Sequence, residues 1–135
     1  MRFQRAESPD ALLNGLEAAR RFFASSFNYD DYPHEQLLVA HVDSATRCIH
    51  VERYAGGPAS VALPVREIVA DALRLGSAGV VIAHNHPSGD ARPSDADYRA
   101  TRKLARAGET INLVVLDHLI FTDRACSSMR RMGLL

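Results

Sequence analysis

Tryptophan is absent from this 135-residue chain, which also has two cysteines, a single lysine and no excess of either charge. Cys48 and Cys126 belong to no Cys-x-x-Cys pair, so a cysteine zinc site and a thioredoxin-type motif are excluded, and no disulfide is expected in a reducing compartment. Sixteen basic side chains balance sixteen acidic ones. That balance argues against tight, purely electrostatic binding to nucleic acid, which needs clustered excess cations to release counterions. No apolar run approaches the ~20 residues of a membrane span. The opening MRFQRAESPD lacks the apolar stretch of a secretion signal, so a cytoplasmic chain with no membrane partner is expected.

What is present is an ordinary soluble composition, 47% hydrophobic, enough for a folded core in one domain spanning residues 1–135. No repeat, low-complexity tract or dividing linker interrupts it. Ser8-Pro9-Asp10 reads as a helix start, and Leu12, Leu13, Leu16, Ala19, Phe22 and Phe23 recur at helical spacing through about Phe27. This amphipathic helix and the turn-rich residues 28–33 form the leading part, residues 1–34. Residues 36–43 are apolar on both sides and read as a strand buried on both faces. A second strand is expected over 47–54, joined to the first by Ser44-Ala45-Thr46, and a short third over 60–63, after a break at Ala55-Gly56-Gly57-Pro58.

Pro64 opens a helix with Val65, Ile68, Val69, Ala72 and Leu73 on one face, and Gly76 is placed to end it. Residues 79–83 form a compact apolar strand running straight into His84. A polar loop follows, then a helix from Ser94 to about Ala107 closed by Gly108. Strands are expected at 111–116 and 119–122, and the tail from Ser127 to Leu135 as a terminal helical turn. This order implies a mixed α/β layer structure with the informative loop at the carboxyl end of a central strand.

That loop reads Ala83-His84-Asn85-His86-Pro87-Ser88-Gly89-Asp90, continuing through Pro93-Ser94-Asp95-Ala96-Asp97. Histidines at i and i+2 of an extended segment project to the same side, so His84 and His86 can share one metal ion. Asp97, in the first turn of the next helix, can return its carboxylate to the same ion. Two nitrogens, one carboxylate and an open fourth position are the pattern of a catalytic zinc site. Such an ion lowers the pKa of bound water and polarises a carbonyl. A hydrolase of this kind also needs a carboxylate to move the proton, for which Glu35, Glu52 and Glu67 are the upstream candidates. Glu35 suits the role best, since it enters the first buried strand where the turn ends. Ser94 can donate a hydrogen bond to a developing oxyanion. The plain alternative is that Ser94 and Asp97 only cap a helix, that His34, His41, His50 and Glu52 are surface or packing residues, and that Glu67 is a dipole-favoured surface carboxylate.

His84-Asn85-His86-Pro87 with Pro93-Ser94 and Asp97 resembles the His-x-His-x10-Asp signature of the JAMM (MPN) metalloproteins. The wording HNHPSGDARPSDAD followed by LDHLIF is similar to the RadC branch of that group, over about three-quarters of the chain from Glu35 onward. The resemblance implies a cytidine-deaminase-like three-layer α/β/α sandwich around a mixed sheet. It implies one zinc ion per chain on His84, His86 and Asp97, with Glu35 as general base and Ser94 as oxyanion donor. The expected activity is hydrolysis of a peptide or isopeptide bond in a protein substrate. The resemblance also implies Asp117 and His118 as a family landmark after a strand, for which a supporting or structural hydrogen-bond role is expected in preference to metal ligation.

RadC proteins usually carry a helix-hairpin-helix region ahead of this domain, and the first ~34 residues here offer a single amphipathic helix instead. DNA association therefore rests on one helix face, where Arg99, Arg102, Lys103 and Arg106 fall at i, i+3, i+4 and i+7. That stripe can steer an acidic partner or contact phosphates, and a solvated face is its ordinary meaning. A DNA-repair-associated protein with a structural or vestigial metal site is the alternative function. The leading helix leaves a homodimer open. A base deaminase shares the implied fold, but the chain has no Pro-Cys-x-x-Cys.

Overall fold

The computed structural model describes residues 10–27, 35–54 and 63–135. The expected helix start at Ser8-Pro9, the turn at 28–33, the break at 55–58 and the strand beginning at Ser60 lie outside the described residues. Within them the order is α1 (Leu16–Phe23), β1 (Leu37–Val42), β2 (Cys48–Tyr54), α2 (Val65–Leu75), β3 (Gly79–Asn85), α3 (Asp95–Glu109), β4 (Val114–Phe121) and β5 (Cys126–Ser128). The five strands form one mixed sheet in the order β2-β1-β3-β4-β5. Strands β3 and β4 are parallel, joined by α3 as the crossover, and the other neighbouring pairs are antiparallel.

Both faces of the sheet are covered, which gives the expected three layers. On one face Leu38, Ala40, Val81, Ala83, Leu119 and Phe121 pack under α1 with Phe22, Phe23 and Phe27. On the other, Leu37, Val39, Val80, Ile82 and Val115 pack under Ile68 and Ala72 of α2 and Leu104 of α3. Strands β1 and β3 are buried at every position, as runs apolar on both faces require, with His41 in β1 and His84 and Asn85 in β3 as buried polar exceptions. Among the described residues no helix is long and apolar enough to cross a membrane.

Helix α1 is shorter than its apolar spacing predicts. Gly15 precedes it at φ 111°, a left-handed conformation that a helix from Asp10 onward could not contain. Ahead of that glycine the chain runs beside the β1–β2 turn instead. The Leu13 N–H donates to Thr46 O at 2.9 Å and the Cys48 N–H to Ala11 O at 2.8 Å. Leu13 is buried in the core beneath α1 while Leu12 is exposed where the chain bridges to Arg47, and Asn14-Gly15 is the breaker that outweighs helical periodicity.

Helix α2 ends at Gly76, whose φ of 70° is the left-handed cap the sequence predicts. Helix α3 runs through Gly108 to Glu109, so that glycine is not the closing residue. Its role is close approach, because a Cβ there would collide with the Leu113 carbonyl as the chain turns into β4.

The two strands expected at 111–116 and 119–122 are one strand, β4, with a β-bulge. Val80 pairs with Val115 and Val81 with Asp117, leaving Leu116 as the extra residue. Val115 faces the α2–α3 side, as Val80 does. Without the bulge, alternation would turn Asp117 to that side and His118 away from it. The bulge inverts the phase. The Arg130 guanidinium fills the irregularity, donating to Leu116 O at 2.5 Å and Val115 O at 3.3 Å. The expected helical tail begins instead as strand β5, and turns follow it.

His41 is a wholly buried polar residue of this core. Its Nδ1 lies 2.9 Å from Ser77 Oγ, while its Nε2 is buried with no hydrogen-bond partner among the described residues. Burial, helped by the neighbouring His50, pushes its pKa down from 6.5 to about 4. The unfolded chain therefore binds more protons than the folded one between those limits, and stability is lost as pH falls through that window. Replacing His41 with leucine should remove this component. Between about pH 7.5 and about pH 5, the unfolding free energy of the wild type, read by urea titration, should fall by roughly 2 kcal/mol more than that of H41L. Equal losses in both proteins would show that His41 is not the titrating group.

Candidate metal centre

Alternation along β3 sends Val80 and Ile82 to the α2–α3 side of the sheet, and His84 follows on that side. His86 lies just beyond the strand, where its N–H donates to Phe121 O at 2.8 Å and so holds it against β4. The loop then returns to α3, whose first turn carries Asp97. The His84, His86 and Asp97 side chains meet there, with one ligand atom from each within 4.8 Å of the others. The His84 and His86 ring centroids are 4.7 Å apart. His86 Nε2 lies 3.1 Å from Asp97 Oδ2, and His84 Nε2 lies 3.6 Å from Asp97 Oδ1.

The same Ser94 and Asp97 form the helix cap that the alternative reading expects. Asp97 N–H donates to Ser94 Oγ at 3.0 Å, and Ser94 N–H donates to Asp97 Oδ2 at 2.8 Å. This capping box fixes the carboxylate by its backbone, so the Asp97 side chain reaches the histidines without choosing among rotamers. The Ser94 hydroxyl accepts in the box and keeps its own proton available to donate.

Burial alone would raise the Asp97 pKa, but His86, the nearby His84 and Ser94 together hold its carboxyl well below the usual carboxylate range. His86 is shifted upward, chiefly by Asp97, with Asp90 O and the charge of Glu35 adding to it. Burial lowers His84 to about 4 and pushes His118 well below its ordinary range.

The donor set fits a divalent cation. His86 Nδ1 is engaged by Asp90 O at 2.8 Å and His84 Nδ1 by His118 Nε2 at 2.7 Å, which leaves the Nε2 atoms to face Asp97. Among the described residues, His84 Nε2 is buried without any hydrogen-bond partner. A buried nitrogen lone pair beside a carboxylate is an uncompensated arrangement that a cation would satisfy.

Glu35 stands next to this cluster. Leu37 pairs with His84, so extending the antiparallel register by two residues brings Glu35 opposite His86. The segment is tied down by Gln36 N–H, which donates to Asn85 Oδ1 at 2.6 Å. Glu52 is instead 2.7 Å from His50 Nε2 on β2, and Glu67 is exposed in the first turn of α2. Arg99, Lys103 and Arg106 are exposed and Arg102 half-buried, opposite the Thr101–Leu104–Gly108 face of α3. Among the described residues none of the four has an ion-pair partner.

Residues that periodicity and spacing did not single out complete the site. Asn85 lies inside the histidine motif, but its tether to Gln36 is a cross-strand contact with no local signal. Thr101, one turn after Asp97, places its hydroxyl 2.7 Å from His118 Nδ1. Asp117 points to the other face, where its carboxylate accepts from His118 N–H, Ser128 Oγ–H and Arg130 N–H. Neither member of the Asp117–His118 pair is among the clustered metal-type ligands.

Two imidazoles from the end of the central strand β3, with a carboxylate from the first turn of the helix that crosses over to β4, define a JAB-type α/β domain with a candidate metal centre. The chain belongs to the RadC-like JAB domain family, whose model matches residues 13–134. It is 42% identical over 104 residues to a UPF0758 protein of Polaromonas sp. (strain JS666), covering 76% of this chain and 46% of that one. It is 35% identical over 122 residues to a UPF0758 protein of Pelodictyon phaeoclathratiforme, covering 89% of this chain and 55% of the other. The chain thus spans about half the length of these relatives.

The double use of Asp97 is testable. Without metal, Ser94→Ala and Asp97→Ala should each cost about 1 kcal/mol in urea unfolding through the lost cap. Zinc at about a hundred times its Kd should stabilise the wild type by roughly 2.7 kcal/mol and D97A hardly at all. Equal stabilisation of D97A would remove Asp97 from the ligand set.

Proposed function

We propose that this domain is a zinc-dependent hydrolase of amide bonds, in peptide or isopeptide linkages. The observation that carries the reading is the convergence of two imidazoles and Asp97 about a buried His84 Nε2 that has no hydrogen-bond partner among the described residues. When bound, zinc would supply Lewis acidity, polarising the scissile carbonyl and lowering the pKa of water. His84, His86 and Asp97 hold the ion in this reading. Glu35 takes a proton from the attacking water, and the oxygen adds to the carbonyl carbon. Ser94 Oγ–H donates to the oxygen that gains charge. Glu35 then returns the proton to the departing amine as the C–N bond breaks. The proximity of Glu35 to His86, and the unspent proton of the Ser94 hydroxyl, support these roles.

Elemental mass spectrometry should find about one zinc per chain in the purified protein and none in a His84→Ala/His86→Ala variant. Against a panel of peptides and isopeptide-linked conjugates, Glu35→Gln should lose at least ~100-fold in kcat while retaining its zinc. Full activity in E35Q would remove Glu35 as the proton carrier, and a metal-free wild type after zinc supplementation would sink the hydrolase.

A second reading follows from the cations of α3, which have no ion-pair partner among the described residues: the face docks phosphates of DNA, consistent with the expected DNA-repair association. Charge reversal at Arg102 and Arg106 should then weaken binding to duplex DNA. It should also flatten the dependence of that binding on salt, by about one unit of slope for each phosphate left without its cation. Absence of salt-sensitive binding by the wild type would end that reading.

A further inference from the structure

Behind the cluster, Thr101 and His118 form with His84 of the cluster a hydrogen-bonded chain whose direction can be deduced. Thr101 Oγ1 lies 2.7 Å from the backbone oxygen of Asp97 and 2.7 Å from His118 Nδ1. A carbonyl oxygen can only accept, so the single hydroxyl proton goes to Asp97 O. The competing acceptor, the Met129 thioether at 3.8 Å, is longer and weaker. The Thr101 oxygen must then accept from His118, which places a proton on His118 Nδ1.

A neutral imidazole protonated at Nδ1 carries its lone pair on Nε2. His118 Nε2 lies 2.7 Å from His84 Nδ1, so the proton between them belongs to His84 Nδ1. His84 is left with its lone pair on Nε2, the atom that faces Asp97 Oδ1. Both rings are buried, and among the described residues neither has a further hydrogen-bond partner that would reverse this order.

We infer that Thr101 and His118 are positioning residues. Together they set the tautomer and ring plane of His84 so that its Nε2 presents a lone pair for a metal. The chain begins on the carbonyl of Asp97 and ends on His84, so it also locks two residues of the cluster, one from α3 and one from β3, into a single frame through β4. The inference rests on the proposed metal-binding reading for its purpose, but not for its geometry.

Long-range nitrogen–proton NMR correlations on the metal-free wild type at mildly alkaline pH test the geometry directly. His84 and His118 should both show the Nδ1–H tautomer. An Nε2–H tautomer at His84 would overturn the inference, whether or not the protein binds metal. Chelator competition with zinc tests the purpose. Thr101→Val should weaken zinc binding by about 10- to 100-fold and mix the His118 tautomers, while Thr101→Ser, which keeps the hydroxyl, should restore both. Wild-type zinc affinity in T101V would overturn the positioning role. If the wild type takes up no zinc, the hydrolase fails while the NMR result still decides the tautomers.

Discussion

Every feature of the site depends on β3 being buried on both faces between two helical layers. In a strand so enclosed, a side chain has only two directions, and the apolar residues decide which is which. Val81 and Ala83 fill the α1 side; Val80 and Ile82 fill the α2–α3 side. His84 is thereby committed to the side on which α3 begins. A one-residue slip would send it beneath α1, away from Asp97. The polar site is held in place by valine and isoleucine.

Strand β4 needs a correction before it can serve the same site. With Val115 packed under α3, regular alternation would turn His118 away. The bulge at Leu116 reverses the phase, so that His118 meets His84 and Asp117 meets the carboxyl-terminal segment. The exposed carbonyls of such an irregularity need partners, and the Arg130 side chain supplies them. Asp117 accepts from the backbone N–H of Arg130 and thereby anchors the residue that fills the bulge. Adjacent residues of the Asp-His pair thus do unrelated work on opposite faces.

A helix cap and a candidate metal ligand are rival readings of a Ser-x-x-Asp sequence, and at Ser94 the cap and the His-His-Asp cluster share the same carboxylate. The box directs Oδ2 at the Ser94 N–H and leaves the carboxylate facing the histidines. A ligand held by its own helix start loses little side-chain freedom when a cation arrives, which is how preorganisation improves affinity.

The sequence alone determined the parts whose cause is local. Two-faced apolar runs marked β1 and β3, Gly76 marked the end of α2, and the i, i+2 histidines with Ser94 and Asp97 marked the cluster, because strand alternation and helix capping act over a few residues. It could not show that Leu12 and Leu13 lie against the β1–β2 turn, since apolar spacing alone does not distinguish a helix from a strand edge. Tertiary structure decided what depends on register: the opposition of Glu35 to His86, the Asn85 tether, and the bulge that aims His118. Thr101 belongs there too, since nothing in its neighbourhood along the chain announces a histidine from β4. Register is set by how two distant strands pack against each other, and no local pattern carries that information.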